Sequence, residues 1–176
     1  MKILPANKSH QDKIRAIHLK AFTDEENTLV ADLACSLIET ASSPECIHLI
    51  AEEDDQPIGH IAFSPVHSKN TDDLIAYILA PLAVDPSHQG KGIGTALIKE
   101  GLKILKDKGI HVILVYGDPA FYSRFGFKPE PAERYVPPCK LSYPFGWQAI
   151  DRETSSSNSS RVEFKCVEPL NKPELW

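Results

Sequence analysis

The residues best suited to chemistry form a glycine-rich segment that opens a predicted helix, Gln89-Gly90-Lys91-Gly92-Ile93-Gly94-Thr95. Glycines allow sharp turns, and without Cβ atoms they let a ligand approach the main chain closely. The first N–H groups of a helix lack internal partners and carry the positive end of its dipole, so they hold anions well. The segment therefore predicts a phosphate-binding loop, to which Lys91 adds a mobile positive charge.

Spacing separates the known kinds of phosphate loop. A nucleotide P-loop requires a lysine directly after its last glycine, and Lys91 comes too early. A dinucleotide fingerprint, G-x-G-x-x-G, requires its third glycine one residue later than Gly94, although Asp118 after the next strand keeps this alternative open. A third form, Gln/Arg-x-x-Gly-x-Gly/Ala, matches in full from Gln89 to Gly94. A glycine-rich turn without a ligand is the remaining alternative.

The third form resembles the pyrophosphate loop of the GNAT superfamily, the acyl-coenzyme A-dependent N-acetyltransferases. Further segments look like a branch of mostly uncharacterised bacterial predicted N-acetyltransferases: Ala80–Val84, Gly117-Asp118-Pro119 and Tyr122–Phe127. The likeness covers about residues 1 to 130 and, more loosely, the tail. It implies acetyl-coenzyme A (acetyl-CoA) as cosubstrate and a primary amine as acceptor.

The resemblance also implies which residues contact the cofactor. The expected contacts are the main chain of Leu82, Ala83 and Val84 on the pantetheine arm, and Gln89, Gly90, Lys91, Gly92, Ile93, Gly94 and Thr95 around the pyrophosphate. Pro81 lies in the middle of a strand pattern and cannot donate to a ladder, which indicates a bulge or an unpaired edge. In the family this strand splays from the next parallel one, whereas the alternative is a bulge that only relieves twist.

Tyr122 is the predicted catalytic acid, because relatives place a tyrosine at this position near the cofactor sulfur. A phenol with an ordinary pKa near ~10 is protonated at neutral pH and can supply a proton to a departing thiolate. The alternative is a ring that only packs, as we expect for Phe121, Phe125 and Phe127.

The general base stays open at the sequence level. The possible residues each have a simpler reading, as strand-surface histidines, a solvated acidic turn or a helix cap: His60, His67, Glu52, Glu53 and Asp118. A chain of water molecules is an equal alternative. The acidic segment Asp24-Glu25-Glu26 could attract a cationic amine, although acids at a helix start also favour the helix dipole.

Apolar patterns predict the elements that position these residues. Strands are expected at Ile3-Leu4, Ile47–Glu52, Ile58–Val66, Leu74–Val84 and His111–Tyr116. Helices are expected after a capping box at Ser9 and Asp12, over Leu29–Ile38, from Ile93 onward, and after the N-cap Asp118 as far as Gly126. A four-residue turn, Asp54–Pro57, joins the second and third strands.

The resulting order, β-α-α-β-β-β-α-β-α, is that of the GNAT fold, an α/β fold. It implies a mixed, mostly antiparallel sheet with a splayed parallel pair and helices on both faces. C-terminal strands at Phe145–Arg152 and Arg161–Glu168 are expected to pair around a mobile serine-rich loop at Thr154–Ser160, after an extended connector at Tyr135–Pro138. We expect one domain over residues 1–176, with its core in about 1–130.

Composition favours an enzyme in the cytoplasm. The 176 residues are 42% hydrophobic, enough for a core, and the net charge of −5 argues against nonspecific nucleic-acid binding. We expect no membrane span, signal peptide, disulfide set or metal site, because apolar runs are short and the four cysteines and seven histidines show no ligand spacing. The oligomeric state is open, with a homodimer among the options.

The sequence thus favours an N-acetyltransferase that transfers the acetyl group of acetyl-CoA directly to a primary amine. Two alternatives remain. A catalytically silent acyl-CoA-binding regulatory module would keep the loop without needing Tyr122, and an NAD-binding enzyme would use Asp118 on a ribose.

Overall fold

The computed structural model describes residues 1–152 and 160–176. Its strands are β1 (Lys2–Pro5), β2 (Ile47–Glu53), β3 (Gln56–Ser68), β4 (Leu74–Val84), β5 (Val112–Tyr116), β6 (Tyr135–Val136), β7 (Trp147–Asp151) and β8 (Val162–Lys165). Its α-helices are α1 (Gln11–Ala21), α2 (Asn27–Glu39), α3 (Ile93–Asp107), α4 (Pro119–Tyr122) and α5 (Pro129–Ala132). The predicted order from the first strand to the short helix α4 is confirmed.

The chain forms two compact units. The first comprises residues 1–63 and 80–104, and the second comprises residues 64–79 and 105–176. Strands β3 and β4 each contribute residues to both units. The expectation of a single domain stays a prediction.

In the first unit, β1 pairs antiparallel with β2, and β2 pairs antiparallel with β3. Helices α1 and α2 share a buried cluster with β2: Ile14, Ala34, Ile38 and Ile50. Helix α3 packs so tightly against β3 that a Cβ atom at Gly101 would overlap the buried ring of Phe63. Glycine at this position therefore lets the helix that begins at the predicted phosphate loop lie close to the sheet.

In the second unit, β4 pairs in parallel with β5, and β5 pairs antiparallel with β7. Strand β5 is buried from Val112 to Val115, as expected of a parallel strand covered on both faces. The mixed, mostly antiparallel sheet that contains the parallel pair β4–β5 is confirmed, whereas the splaying of that pair stays a prediction.

The predicted pairing of the two C-terminal strands is wrong. Strand β7 lies beside β5, while β8 pairs with the end of β3 and in parallel with β6. Residues Trp147 to Ile150 are all buried, which suits a strand that extends this sheet beside β5 better than one in an isolated hairpin. The connector expected at Tyr135–Pro138 contains the short strand β6. The serine-rich loop lies outside the described residues, apart from Ser160.

Two local predictions also need correction. The capping box begins at Asn7 rather than Ser9: the Asn7 side chain accepts from the Ser9 N–H, and the His10 ring accepts from the Asn7 N–H. Asn7 can take this role because asparagine caps a helix start as well as serine does. The box opens a 3₁₀ turn that precedes α1. The turn between β2 and β3 has two residues rather than four, since Asp54 and Asp55 alone adopt positive φ values and β3 begins at Gln56.

Candidate functional site

The predicted phosphate loop is anchored by Asp85, which follows β4. The Asp85 carboxylate accepts hydrogen bonds from the Ser87 N–H at 3.0 Å and the Ser87 hydroxyl at 2.6 Å, capping the 3₁₀ turn Pro86–His88. These bonds, together with the Lys20 ammonium 3.2 Å away, lower the pKa of Asp85 to about 2. Because Lys20 belongs to α1, this ion pair joins the end of that helix to the start of the loop.

The loop turns on two left-handed glycines. Gly90 has φ +75° and Gly92 has φ +81°, a conformation that L side chains rarely adopt. A Cβ atom on either glycine would have no heavy atom within 4 Å in the described part of the chain. The main chain is therefore open to a ligand at both positions.

Helix α3 begins directly after these glycines. The Gly92 carbonyl accepts from the Ala96 N–H at 3.0 Å, so the helical bonding starts at Gly92. The N–H groups of Ile93, Gly94 and Thr95 belong to the first turn, where an α-helix provides no internal partner. Gly94 therefore belongs to α3, and not to the preceding left-handed turn formed at Gly90 and Gly92.

The side chains around the loop have different roles. Gln89 donates through Nε2 to the Val84 carbonyl at 3.1 Å, which ties the loop to the end of β4. Lys91 is exposed, so its ammonium group is available to an anion at the loop. The Ile93 side chain is buried, so only its main chain can face a ligand.

The predicted pantetheine-binding segment lies at the end of β4. Ala83 is buried, and Leu82 and Val84 are half-buried. A Cβ atom at Gly59 of β3 would lie 3.3 Å from the Ala83 carbonyl and 3.1 Å from the side chains of Ile93 and Leu97. Glycine at position 59 thus allows β3, β4 and α3 to meet closely beside the loop.

In the second unit, Tyr122 ends α4. The Asp118 side chain caps this helix by accepting from the Ala120 N–H at 2.9 Å, and Pro119 occupies the first helical position. Gly126 follows a 3₁₀ turn with φ +93°. The predicted cap, proline and terminating glycine are confirmed, although the second half of the helix is a 3₁₀ turn.

The Tyr122 ring is held on several sides. It meets the Phe121 and Phe127 rings edge-on, at centroid distances of 5.1 and 5.8 Å. A Cβ atom at Gly117 would overlap it, so glycine makes room for the ring. Burial, with a smaller contribution from the Asp118 charge, raises the pKa of Tyr122 to about 12. The phenol therefore keeps its proton throughout the neutral range.

The structure distinguishes the residues considered as general bases. Asp118 is engaged as a helix cap, and the exposed Glu53 lies 3.9 Å from the His88 ring. Glu52 and His67 are half-buried. The interpretation of His60 as a strand-surface histidine is wrong, since its side chain is completely buried. Burial of this polar ring is possible because two further histidines replace water as its hydrogen-bond partners.

Sequence reasoning missed this cluster, which we call the histidine chain: His18 of α1, His60 of β3 and His48 of β2. His18 Nε2 lies 2.9 Å from His60 Nδ1, and His60 Nε2 lies 3.3 Å from His48 Nδ1. Within the described ranges, no three histidine, cysteine, aspartate or glutamate side chains are arranged to hold a metal ion. One signal was available, since His18 continues the buried stripe of Ile14 and Ile17.

No helix in residues 1–152 and 160–176 is long and apolar enough to cross a membrane.

The predicted phosphate loop fits a pyrophosphate group. The open glycines, the first-turn amides and Lys91 offer several donors and one cation without a side chain in the way.

Comparison with known proteins supports this reading of the loop. A family model described as "Acetyltransferase (GNAT) family" matches residues 11–127. The uncharacterized N-acetyltransferase YjhQ of Escherichia coli is 35% identical over 167 residues, covering 93% of this chain and 90% of the relative. The expected resemblance to uncharacterised bacterial N-acetyltransferases is confirmed.

Two solved structures resemble the fold. The crystal structure of the GNAT family N-acetyltransferase YhbS from Escherichia coli in complex with CoA has a TM-score of 0.81 at 29% identity, covering 97% of this chain and 92% of that one. A GNAT family acetyltransferase from Brucella melitensis in complex with acetyl-CoA has a TM-score of 0.63 at 29% identity, covering 86% and 87% of the two chains.

Proposed function

This chain belongs to the acetyltransferase (GNAT) family, and we propose that it transfers the acetyl group of acetyl-CoA directly to a primary amine within a ternary complex. The observation that carries the proposal is the loop at Gln89–Thr95, where two left-handed glycines lead into the first turn of α3. A pyrophosphate gains main-chain donors and the helix dipole at such a position. The relatives crystallised with CoA and acetyl-CoA support the choice of cofactor.

The proposed reaction forms one bond and breaks another. The amine nitrogen attacks the thioester carbonyl carbon, the N–C bond forms, and the C–S bond breaks with its electron pair moving to sulfur. Tyr122 donates its phenolic proton to that sulfur, and the proton that the nitrogen loses as the amide forms returns to the phenolate. Its raised pKa ensures that the proton is present at neutral pH, and the packed Phe121 and Phe127 rings restrict the orientation of the phenol.

Main-chain groups of Leu82, Ala83 and Val84 are proposed to bind the pantetheine arm. This segment ends where Gln89 fastens the loop, so the two predicted cofactor contacts lie next to each other within the first unit. The acidic residues Asp24, Glu25 and Glu26 are all exposed just before α2 and can attract a cationic amine.

The NAD alternative loses support, because the Asp118 carboxylate that would bind a ribose is engaged as the α4 cap. The silent binding module keeps one observation in its favour, since the Tyr122 ring is packed as a purely structural residue would be. Turnover therefore has to be measured separately from binding.

Two measurements test the proposal. Thermal shift should show stabilisation by acetyl-CoA and none by NAD at the same concentration. Free thiol release should then be followed with polyamines, antibiotics, amino acids, peptide N-termini and protein lysines as acceptors. Amine-dependent thiol release supports the transferase. Stabilisation by acetyl-CoA without release for any amine supports the binding module, and stabilisation by NAD alone overturns both readings.

A further inference from the structure

We propose that Arg124 binds the 3′-phosphate of acetyl-CoA, so that this chain distinguishes acetyl-CoA from its 3′-dephospho form. The inference rests on the proposed function and deepens it. Acetyl-CoA carries two separate anionic groups, a pyrophosphate in the middle of the molecule and a 3′-phosphate on its adenosine ribose. The loop at Gln89–Thr95 is assigned to the pyrophosphate, so the 3′-phosphate requires a second cation if the protein is to bind it.

The Arg124 guanidinium is held against two aromatic rings. Its central carbon lies 4.7 Å from the centroid of the Phe121 ring and 5.7 Å from that of the Phe125 ring. The two rings also contact each other, with centroids 5.5 Å apart. Attraction between the cation and the ring faces restricts the guanidinium before any ligand arrives, so less side-chain entropy is lost on binding.

The donors of this guanidinium are divided between the protein and a ligand. Arg124 Nε donates to the Phe121 carbonyl at 3.1 Å, which fixes one edge of the group. Arg124 is exposed, and no acidic side chain in the described part of the chain forms an ion pair with it. The terminal nitrogens, Nη1 and Nη2, can therefore donate two parallel bonds to the oxygens of one phosphate.

Arg124 lies in the segment that follows the carboxyl end of β5. Strand β5 is the parallel neighbour of β4, and the predicted phosphate loop follows the carboxyl end of β4. Segments that follow the carboxyl ends of neighbouring parallel strands commonly bind one ligand together. The chain course therefore allows the segment with Arg124 and the loop at Gln89–Thr95 to hold different anionic groups of the same cofactor.

Arg124 and Tyr122 are suited to different parts of that cofactor. Residues two apart on a helical turn project about 200 to 240° from each other. The Tyr122 ring packs against Phe127, whereas the Arg124 guanidinium lies over Phe121 and is exposed. Tyr122 can therefore approach the thioester sulfur while Arg124 approaches a group distant from the reacting atoms.

The overall charge of the protein makes a local cation more important. The chain carries a net charge of −5, so its summed field gives no general attraction for a multiply charged anion. Affinity for the 3′-phosphate must then come from a cation in contact with it, and salt should weaken that contribution because the site is exposed.

The test compares two ligands that differ only in the 3′-phosphate, acetyl-CoA and acetyl-3′-dephospho-CoA. By isothermal titration, the wild-type protein should bind acetyl-CoA about 10-fold more tightly, the lower end for hydrogen bonds to a charged group because Arg124 is exposed. Arg124→Gln should bind both ligands with the affinity of the wild type for the dephospho form. Arg124→Lys keeps the charge but loses the planar fork, so it should retain only part of the preference.

Two further variants serve as controls. Lys103→Gln removes an exposed positive charge from α3, about 16 Å beyond Gly92 along the helix, and should keep the wild-type preference. Lys91→Ala removes the loop charge and should weaken both ligands by the same factor, because the pyrophosphate is common to them. Loss of the preference in Lys91→Ala would assign the 3′-phosphate to Lys91 and overturn the role of Arg124.

Turnover gives a separate readout of the same contact. In an active enzyme, Arg124→Gln should raise KM for acetyl-CoA and leave kcat unchanged, because a contact distant from the reacting atoms is equally strong in the ground state and the transition state. A packing role would instead disturb Tyr122, its neighbour on the same turn, and lower kcat with either ligand.

Several outcomes would overturn the inference and leave the proposed function intact. They are a wild-type protein without preference between the two ligands, an undiminished preference in Arg124→Gln or Arg124→Lys, and an equal loss of affinity for both ligands in Arg124→Gln. A wild-type protein that binds neither ligand would overturn the proposed function as well.

Discussion

The predicted phosphate loop and the packed titratable side chains differ in what they expose to a ligand. The loop at Gln89–Thr95 is largely exposed and offers its main chain, so it can collect negative charge wherever two left-handed glycines leave N–H groups open. Tyr122 and the histidine chain are packed among other side chains, and burial keeps every one of them uncharged at neutral pH. In the proposed function, binding of the anionic cofactor and donation of a proton by Tyr122 therefore depend on different residues, and we expect mutation to separate them.

The largest expected effect concerns Tyr122. In Tyr122→Phe the ring keeps its contacts with Phe121 and Phe127 and only the hydroxyl is lost, so fold and acetyl-CoA affinity should persist. We expect kcat to fall by about 10² to 10⁴, as for the loss of a general acid. Steady-state kinetics beside calorimetric titration will check this. A wild-type rate and pH profile in the variant would show that Tyr122 only packs and that sulfur is protonated by another group.

The next effect concerns the loop. Valine at position 92 must adopt φ +81° or rearrange the turn, at a strain of about 1 to 3 kcal/mol, and its side chain would occupy the space open to the pyrophosphate. We expect Gly92→Val to weaken acetyl-CoA binding by about 5-fold to 150-fold. Lys91→Ala removes one exposed charge and should weaken binding by much less.

Isothermal titration on both variants will show whether the main chain or the lysine dominates. Gly94→Val is the second probe, because a Cβ there lies within the first turn of α3. Unchanged affinity in a folded Gly94→Val protein would contradict the assignment of this loop, and a larger loss in Lys91→Ala than in Gly92→Val would contradict its main-chain character.

The smallest effect is a dependence of stability on pH. The folded-state pKa values of His18 and His48 lie below the ordinary value near ~6.5, so the unfolded chain binds more protons as the pH falls below that value. The histidines therefore contribute full stability above about pH 6.5, and this contribution declines toward pH 3 to 4. Each buried histidine adds at most about 1.4 kcal/mol per pH unit to the slope, a limit approached only well below pH 6.5.

Urea unfolding between pH 6.5 and 5 isolates the histidines, because most carboxylates remain ionised there. His48→Gln should have a shallower slope than the wild type, while the exposed control His111→Gln should match it. Equal slopes in wild type and His48→Gln would contradict a neutral, buried His48.

The contrast also explains what the sequence could predict. The loop and the α4 cap were predictable because their signals are local: glycines at fixed spacing before a helix, and Asp118-Pro119 ahead of Tyr122. The histidine chain was not, since α1, β2 and β3 bring it together over 42 residues of chain. The pairing of β7 with β5 was missed for the same reason, because an apolar pattern identifies a strand but not its neighbour.

The central claim is direct acetyl transfer by a chain that binds acetyl-CoA through its main-chain loop. Mass spectrometry of a single turnover tests it most directly, with enzyme incubated with acetyl-CoA before and after addition of an accepted amine. We predict an unmodified protein mass before the amine, then acetylated amine and free coenzyme A in equal amounts. A protein carrying an acetyl group that disappears when the amine is added, or no acetylated amine from any acceptor class, would contradict it.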